Sequence, residues 1–144
     1  MEFLWERGIS GREACRFVRK KVFVEEQGFS EALEFDDTDL SAWHLLVTEK
    51  ERPIAAARLY EEGNEFHAGR ICVLKKYRGA GLGGKILAEL ERKAAALSAN
   101  ELVLSAQCRA RGFYEKSGYT AVGTPFFDEY CPHIKMVKAL SSAP

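Results

Sequence analysis

The chain has 144 residues, of which 47% are hydrophobic and 29% charged, and Lys+Arg and Asp+Glu each number 21. This length and composition predict a single globular domain covering residues 1–144. A zero net charge gives no general attraction to nucleic acid or to anionic lipid, and no apolar run reaches the length of a membrane span. We therefore expect neither a nucleic-acid partner nor a membrane partner.

The cysteines are widely spaced and form no CxxC pair; they are Cys15, Cys72, Cys108 and Cys131. Together with only three histidines, this spacing predicts no metal site. The first residues are acidic and lack the apolar core of a signal peptide. We expect a cytoplasmic protein with reduced, buried thiols.

The first elements in the chain are a short strand, Phe3–Trp5, and a helix. Apolar residues at helical spacing define the buried face of that helix: Ala14, Phe17, Val18 and Val22. Basic residues occupy the rest of its surface and are predicted to be solvated; they are Arg16, Arg19, Lys20 and Lys21. The segment Glu25–Gly28 closes this helix or follows it.

An acidic segment comes next and contains Glu31, Glu34, Asp36, Asp37 and Asp39. It lacks the D-x-[DN]-x-[DN]-G spacing of a calcium loop. One interpretation is a short helix or loop on the rim of a substrate cleft, where it would favour cationic amines. The alternative is a solvated surface segment.

Three strands follow in the sequence: Trp43–Thr48, Pro53–Tyr60 and Phe66–Leu74. Polar turns separate them, so we predict an antiparallel meander. Within the first strand, His44 stands between apolar neighbours and is predicted to be a hydrogen-bonded core histidine.

The stretch from Arg70 to Leu90 reads RICVLKKYRGAGLGGKILAEL and combines a strand, a glycine-rich turn and a helix. Apolar residues continue at helical spacing beyond the turn; they are Ile86, Leu90, Ala94 and Leu97. Glycines allow a close approach of ligand to backbone, and the first N–H groups of a helix have no intrahelical acceptor. The stretch is therefore predicted to bind an anionic group such as phosphate.

Three phosphate motifs fit this turn to different degrees. A P-loop requires Ser or Thr at the position that Ile86 occupies. A GxGxxG dinucleotide motif is formally present but requires an acidic residue about 20 positions later. The next strand instead ends in Leu104–Gln107 without a carboxylate. The third motif, R-x-x-G-x-G, matches Arg78, Gly81 and Gly83.

After the helix, Glu101–Gln107 is predicted to be a strand parallel to the one before the turn, in a right-handed βαβ unit. Ala110–Ser117 is predicted to be a short helix. The last strands are Tyr119–Gly123 and Ile134–Leu140, and Pro125 and Pro132 bracket the loop between them.

This order of elements resembles the GNAT superfamily of N-acetyltransferases over nearly the whole chain. The segment Arg78–Gly83 is similar to the family's acyl-CoA pyrophosphate loop, and Phe113–Tyr119 is similar to its FYxxxGF motif. Shorter segments resemble the small bacterial ElaA-like and YjcF-like branch: VFVEEQ, HLLV, AQ and PHIKM. The resemblance implies an α/β fold with a mixed, mostly antiparallel sheet, one parallel strand pair and flanking helices.

The resemblance also implies how acetyl-CoA is held. The main-chain groups of Ile71, Cys72 and Val73 would pair with the pantetheine arm, while the Cys72 side chain belongs to the core. Arg78 and the loop backbone would hold the pyrophosphate, through Gly79, Ala80, Gly81, Leu82, Gly83 and Gly84. Gln107 would lie near the cofactor, or it caps the following helix.

The implied reaction is direct attack of a primary amine on the acetyl thioester. Tyr114 matches the family's acid, which protonates the departing CoA thiolate. The base is open between Glu26, near the acceptor cleft, and His133, near the last strand. A homodimer is a possible assembly, since strand edges in this fold commonly pair. Two alternatives stay open: a non-catalytic acyl-CoA-binding or sensing domain, and a dinucleotide-dependent oxidoreductase.

Overall fold

The computed structural model describes residues 1–8 and 13–140, apart from the side chain of residue 33. Within these residues, seven strands form one sheet in the order β1-β2-β3-β4-β5-β7-β6. The strands are β1 (Glu2–Arg7), β2 (Trp43–Glu49), β3 (Arg52–Glu62), β4 (Glu65–Val73), β5 (Glu101–Gln107), β6 (Thr120–Asp128) and β7 (Cys131–Ala139). The α-helices are α1 (Glu13–Arg19), α2 (Glu31–Glu34), α3 (Leu82–Ala96) and α4 (Arg111–Lys116). No helix in the described ranges is long and apolar enough to cross a membrane.

The sheet is mixed, which confirms the predicted class. Strands β1, β2 and β3 pair in antiparallel order, and so do β5, β7 and β6. The parallel pair is β4–β5, in which Phe66–Ala68 lie opposite Leu102–Leu104. A helix connects these two strands, as a parallel crossover requires.

The residues fall into two compact units. The first comprises Met1–Tyr60 and Gly69–Leu87, and the second Glu61–Ala68 and Ala88–Pro144. In the first unit a core cluster joins α1 to the sheet; it contains Cys15, Val18, Val22, Ala56 and Cys72. In the second unit the buried residues of α3, β5 and β7 include Leu90, Ala94, Leu102, Leu104 and Met136. The prediction of a single domain stays a prediction.

The hairpin between β2 and β3 lies where the sequence predicts it. Its central residues, Lys50 and Glu51, both adopt left-handed backbone angles, with φ of 50° and 67°. Two consecutive positive φ values are typical of the type I′ turn, whose twist matches that of the paired strands. The turn is therefore tight, and Glu49 lies opposite Arg52 in the register.

The first helix departs from the prediction in three ways. Phe17, which was predicted on its buried face, is 47% exposed. After Arg19 the helix continues as a π-helix, Lys20–Glu26, in which Gln27 N donates to Val22 O at 3.0 Å. The wider turn changes the direction in which the residues after Arg19 face. Arg19 itself is only 1% exposed, so its assignment to a solvated basic face was wrong.

The last two strands are longer than predicted. β6 ends at Asp128 and β7 begins at Cys131. The residues between Pro125 and Pro132, predicted to form a loop, are therefore mostly part of the paired strands. Pro125 falls where the β6–β7 register shifts, between Val122 and Phe126. Proline has no N–H to donate to a neighbouring strand. It is tolerated at this position because β6 is an edge strand and its pairing with β7 is already irregular there.

Candidate active site

The glycine-rich turn lies in the first unit, between a 3₁₀ turn, Lys75–Tyr77, and the start of α3. Gly79 and Gly81 have φ of 86° and 79°, a backbone region that strongly favours glycine. A Cβ atom added at Gly79, Gly81 or Gly84 would meet no atom within 4 Å, so open space lies beside the backbone at all three. The turn is an open cradle that side chains would partly fill.

The N-terminus of α3 completes the cradle. The first helical hydrogen bond is Lys85 N to Gly81 O, at 3.4 Å. The N–H groups of Leu82, Gly83 and Gly84 precede it, so the helix supplies them no acceptor. Such groups, together with the positive end of the helix dipole, form an anion site. The local geometry is therefore suited to an anionic group such as phosphate.

Arg78 forms a bidentate ion pair with Glu26 in the same unit. Its Nη1 and Nη2 donate to Glu26 Oε2 and Oε1 at 2.6 and 2.7 Å, and its Nε donates to Val73 O at 2.9 Å. The hydrogen bond to Glu26 raises the pKa of Arg78. Both side chains are 38% exposed. The structure thus brings the predicted phosphate ligand and one predicted base together.

The end of β4 supplies the main-chain segment Ile71–Val73. The parallel pairing of β4 with β5 ends at Ala68. Two residues later in β4, Arg70 has a φ of 51°. A left-handed residue within a strand interrupts the regular ladder. The Cys72 side chain is 4% exposed, and its Sγ donates to Ala56 O at 3.8 Å. Burial raises the pKa of Cys72, so its thiol stays protonated. Its predicted place in the core is confirmed.

Gln107 and His133 are neighbours in the second unit, opposite each other in the β5–β7 register. Gln107 accepts a hydrogen bond from Arg109 Nε at 2.7 Å. His133 is 7% exposed, and its Nδ1 lies 2.9 Å from Cys131 O, so Nδ1 carries the donated proton. The ring stacks on Phe126 with centroids 6.1 Å apart. The His133 ring on β7 is therefore held by the Cys131 carbonyl and by Phe126 of β6.

Tyr114 lies on α4 and is half-buried. Its ring makes edge-to-face contacts with Phe113 and Tyr119, with centroids 5.1 and 6.0 Å away. Burial raises the pKa of Tyr114 to about 12. The phenol is therefore protonated at neutral pH, which is the state that a hydrogen-bond donor or acid needs.

The acidic segment belongs to a network that sequence analysis missed. We call it the buried ion network, and its members are Arg19, Arg58, Arg70, Glu34, Asp36 and Asp39. Glu34 and Asp39 are 5% and 3% exposed, so neither a cleft rim nor a solvated surface describes them. Both interpretations of these residues were wrong, because their arginine partners are distant in the sequence.

Asp39 is the centre of this network. It accepts hydrogen bonds from Arg19 Nη1 at 2.9 Å and from Arg58 Nη1 at 3.0 Å. Burial opposes ionisation of Asp39, but the hydrogen bonds and charges of the two arginines outweigh it and lower its pKa. The Asp39 carbonyl also lies 3.0 Å from Nε2 of His44, which is buried as predicted. These contacts fix the acidic segment against β2 and β3.

Comparison with known proteins agrees with this architecture. The family model described as "Acetyltransferase (GNAT) domain" matches residues 11–140. The uncharacterized N-acetyltransferase YjcF of Bacillus subtilis (strain 168) is 38% identical over 123 residues, which is 85% of this chain and 88% of YjcF. The crystal structure of an acyl-CoA N-acyltransferase from Pseudomonas aeruginosa is 26% identical with a TM-score of 0.85, and the match covers 96% of this chain and 99% of that one.

The chain therefore belongs to the GNAT family of acetyltransferases. Within the family it is similar to the YjcF and ElaA branch: protein ElaA of Escherichia coli (strain K12) is 25% identical over 143 residues, or 96% of this chain and 94% of ElaA. These findings confirm the family and the branch that the sequence motifs indicate. They favour neither the sensing domain nor the oxidoreductase.

Proposed function

We propose that the protein is an acetyl-CoA-dependent N-acetyltransferase that moves the acetyl group to a primary amine by direct attack. The observation that carries the proposal is the open cradle at Gly79, Gly81 and Gly84, next to the N–H groups at the start of α3 that have no acceptor within the helix. It fits the pyrophosphate of CoA because it combines backbone donors, a helix dipole and space that a side chain would take. Bound acetyl-CoA supplies the thioester.

In this proposal, each segment of the chain has a separate task. Arg78 and the backbone from Gly79 to Gly84 bind the pyrophosphate, and the main chain of Ile71–Val73 orients the pantetheine arm. Gln107 lies at the end of β5, where it contributes a polar side chain near the cofactor. Tyr114 donates a proton or a hydrogen bond to the sulfur as negative charge builds on it.

The base is proposed to be either Glu26 or His133. Glu26 is an ion-pair partner of Arg78, so it becomes available to an incoming ammonium only when that arginine takes a phosphate instead. His133 is buried and donates from Nδ1 to the Cys131 carbonyl, so Nε2 is the ring nitrogen that would accept a proton. In either case the partners are acetyl-CoA and an amine acceptor. The proposed location is the cytoplasm, whose reducing conditions keep cysteines from forming disulfides.

The first test is binding. A ligand that binds only the folded state raises the melting temperature by mass action. We expect millimolar acetyl-CoA and CoA to raise it and NAD to leave it unchanged. A shift with NAD and none with CoA would contradict the proposal.

The second test is turnover. Purified protein with acetyl-CoA is offered three classes of acceptor: small primary amines, peptides with free N-termini and lysine peptides. CoA release and mass of the acetylated product are measured together. Product formation with at least one class is expected; tight CoA binding without product in any class would favour the sensing domain.

Tyr114→Phe tests the acid. The substitution keeps the ring and removes one hydroxyl, so packing against Phe113 and Tyr119 should persist. An interaction made only in the transition state lowers kcat and kcat/KM together. Losing one donor costs about 10²–10³ in rate at an oxyanion site, and we expect roughly 10-fold or more here because a thiolate is a better leaving group. Unchanged kcat would remove Tyr114 from the mechanism.

A further inference from the structure

Three side chains meet at the end of α4: Glu91 from α3, Lys138 from β7, and Tyr119 from the segment between α4 and β6. Tyr119 Oη donates to Glu91 Oε2 at 2.9 Å, and Lys138 Nζ donates to Glu91 Oε1 at 3.0 Å. Lys138 Nζ also donates to the main-chain oxygen of Ser117, at 2.9 Å. We call Tyr119, Glu91 and Lys138 the Glu91 bridge. It connects α3 and β7 to the residues that end α4, all within the second unit.

The residues that the bridge holds are directly joined to Tyr114. Tyr119 N donates to Tyr114 O at 3.0 Å, and Ser117 N donates to the same oxygen at 3.0 Å. The rings of Tyr114 and Tyr119 meet edge to face at 77°. Any shift of Tyr119 or Ser117 therefore moves the backbone and the ring of Tyr114.

Gly118 makes the approach of Lys138 possible. Its φ is 97°, and a Cβ atom there would lie 3.2 Å from Lys138 Cε. A side chain at this position would therefore both strain the backbone and press on the lysine that holds Ser117. In this chain, the absence of a side chain at Gly118 leaves room for Lys138 to reach Ser117 and Glu91.

The bridge has the character of a rigid contact. Tyr119 is 3% exposed, and the side chains of Glu91 and Lys138 are 19% and 30% exposed. Both hydrogen bonds to Glu91 involve a carboxylate, which makes them stronger than bonds between neutral groups. By contrast, α4 has only six residues, too few to hold its own shape in water.

We propose that the Glu91 bridge is a positioning device that fixes the Tyr114 hydroxyl for its contact with the CoA sulfur. This rests on the proposed role of Tyr114 as acid. Tyr119, Glu91 and Lys138 act through Tyr114 and touch no substrate themselves. Glu91 and Lys138 lie outside the FYxxxGF motif, so the motif alone does not identify them.

The test compares Tyr119→Phe and Glu91→Gln with a matched control, Glu89→Gln. Glu89 lies two residues from Glu91 on the same helix and accepts hydrogen bonds from the exposed Arg92. A misplacement of about 1 Å costs up to 10²-fold in rate, so we expect kcat to fall roughly 10-fold in both bridge variants. The KM for acetyl-CoA and the affinity for CoA should stay within about twofold, and Glu89→Gln should match the wild type.

A double-mutant cycle separates positioning from general stability. If the bridge acts through Tyr114, Tyr119→Phe should lower kcat in the wild type and have no further effect in Tyr114→Phe. Equal effects in both backgrounds, or wild-type kcat in both bridge variants, would overturn the inference while the acetyltransferase proposal stands. If Tyr114→Phe has no effect, the acid assignment fails and the inference is overturned with it.

Hydrogen exchange gives a measurement that needs no turnover. The amides of Ser117, Gly118 and Tyr119 should exchange roughly 10-fold faster in Glu91→Gln than in Glu89→Gln, because local opening becomes easier. Equal exchange in the two variants would overturn the inference even if no acceptor amine has been found. Absence of both CoA binding and product would overturn the proposed function and, with it, the catalytic role of the bridge; faster exchange in Glu91→Gln would then show only that the bridge holds the end of α4.

Discussion

The first unit contains two arginine–carboxylate sites that are similar in geometry and different in environment. In the buried ion network, Arg19, Glu34 and Asp39 have side chains that are 1%, 5% and 4% exposed. In the Arg78–Glu26 pair, both side chains are 38% exposed. The donor–acceptor distances differ by only a few tenths of an ångström, at 2.9–3.0 Å for Arg19 and 2.6–2.7 Å for Arg78. The larger difference between the two sites is the exposure of their side chains.

The difference determines what each site can do. A buried charge that loses its partner has no water to replace it, so the network holds one arrangement. An exposed guanidinium exchanges partners at little cost, and its planar fork fits phosphate as well as carboxylate. The network therefore suits a structural role, while Arg78 is suited to release Glu26 and accept an anion.

The largest expected effect is on the network. Asp39→Asn removes the charge shared by Arg19 and Arg58 but keeps the size of the side chain. Removing one partner of a buried pair costs about 3–5 kcal/mol, and we expect a loss of that order in the free energy of unfolding. Urea unfolding followed by tryptophan fluorescence measures it.

The matched control is Asp37→Asn, because Asp37 belongs to the same acidic segment and is exposed. It should change the free energy of unfolding by less than about 0.5 kcal/mol. Equal losses for the two variants would erase the contrast between buried and exposed carboxylates.

Acid should weaken the network in a defined direction. The Asp39 pKa is lowered in the folded protein, because Arg19 and Arg58 outweigh the effect of burial. Its contribution to stability is therefore complete above the unfolded pKa, about 3.9, and is lost as the pH falls below that value. Asp39→Asn should therefore lose less stability than the wild type as the pH falls below about 3.9, where the unfolded carboxyl of the wild type takes up its proton first. Parallel pH curves for the two proteins would assign the acid sensitivity to other groups.

The next effect is on the phosphate cradle. Gly81→Val places a branched side chain into the space beside the loop and strains a backbone with φ of 79°. We expect CoA binding to be lost, at a cost to folding of about 1–3 kcal/mol. Calorimetric titration with CoA and thermal unfolding measure the two effects.

The matched control is Gly63→Val, which introduces the same backbone strain at a glycine outside the cradle. Gly63 has φ of 62° in the turn between β3 and β4, and a Cβ atom there would also meet no atom within 4 Å. It should lose similar stability and keep wild-type CoA affinity. A folded Gly81→Val variant that binds CoA normally would remove the cofactor from this turn.

The smallest effect is expected for Glu26→Gln. An exposed ion pair contributes about 0–1 kcal/mol, so the free energy of unfolding should change little. CoA should bind as well as in the wild type or more tightly, since a competing carboxylate is gone. Weaker binding of CoA would show that Glu26 supports the cradle.

The pH–rate profile of the same variant bears on the base. A general base must be deprotonated to act, so its loss should remove the acidic limb. We expect at most one of Glu26→Gln and His133→Ala to do so. If neither changes the profile, the base lies elsewhere or the ionisation of the free amine controls the rate.

Several features of the molecule could be predicted because they depend on local patterns. The cradle follows from glycines next to a helical apolar face, and the parallel β4–β5 pair follows from a helix between two strands. The buried ion network could not be predicted, because the local sequence around Arg19 does not indicate whether that face of the helix is exposed to solvent or buried. Its partners, Glu34 and Asp39, lie 15 and 20 residues away.

The position of Glu26 was also beyond local patterns. Helical periodicity assumes 3.6 residues per turn, while residues 20–26 form a π-helix with a wider turn. No residue type marks that change, so the sequence did not indicate that Glu26 meets Arg78. The Glu91 bridge likewise joins residues far apart in the chain: Lys138 lies 47 residues after Glu91.

The most direct test of the account is to compare CoA with pantetheine, which lacks the pyrophosphate, as ligands of the wild type and Arg78→Ala. Hydrogen bonds to charged groups contribute about 1.5–3 kcal/mol, so Arg78→Ala should weaken CoA binding by about 10- to 100-fold. Pantetheine affinity should stay unchanged, and the preference for CoA should shrink by the same factor. Equal losses for both ligands, or an unchanged preference for CoA, would contradict the claim that Arg78 and the glycine turn hold the pyrophosphate.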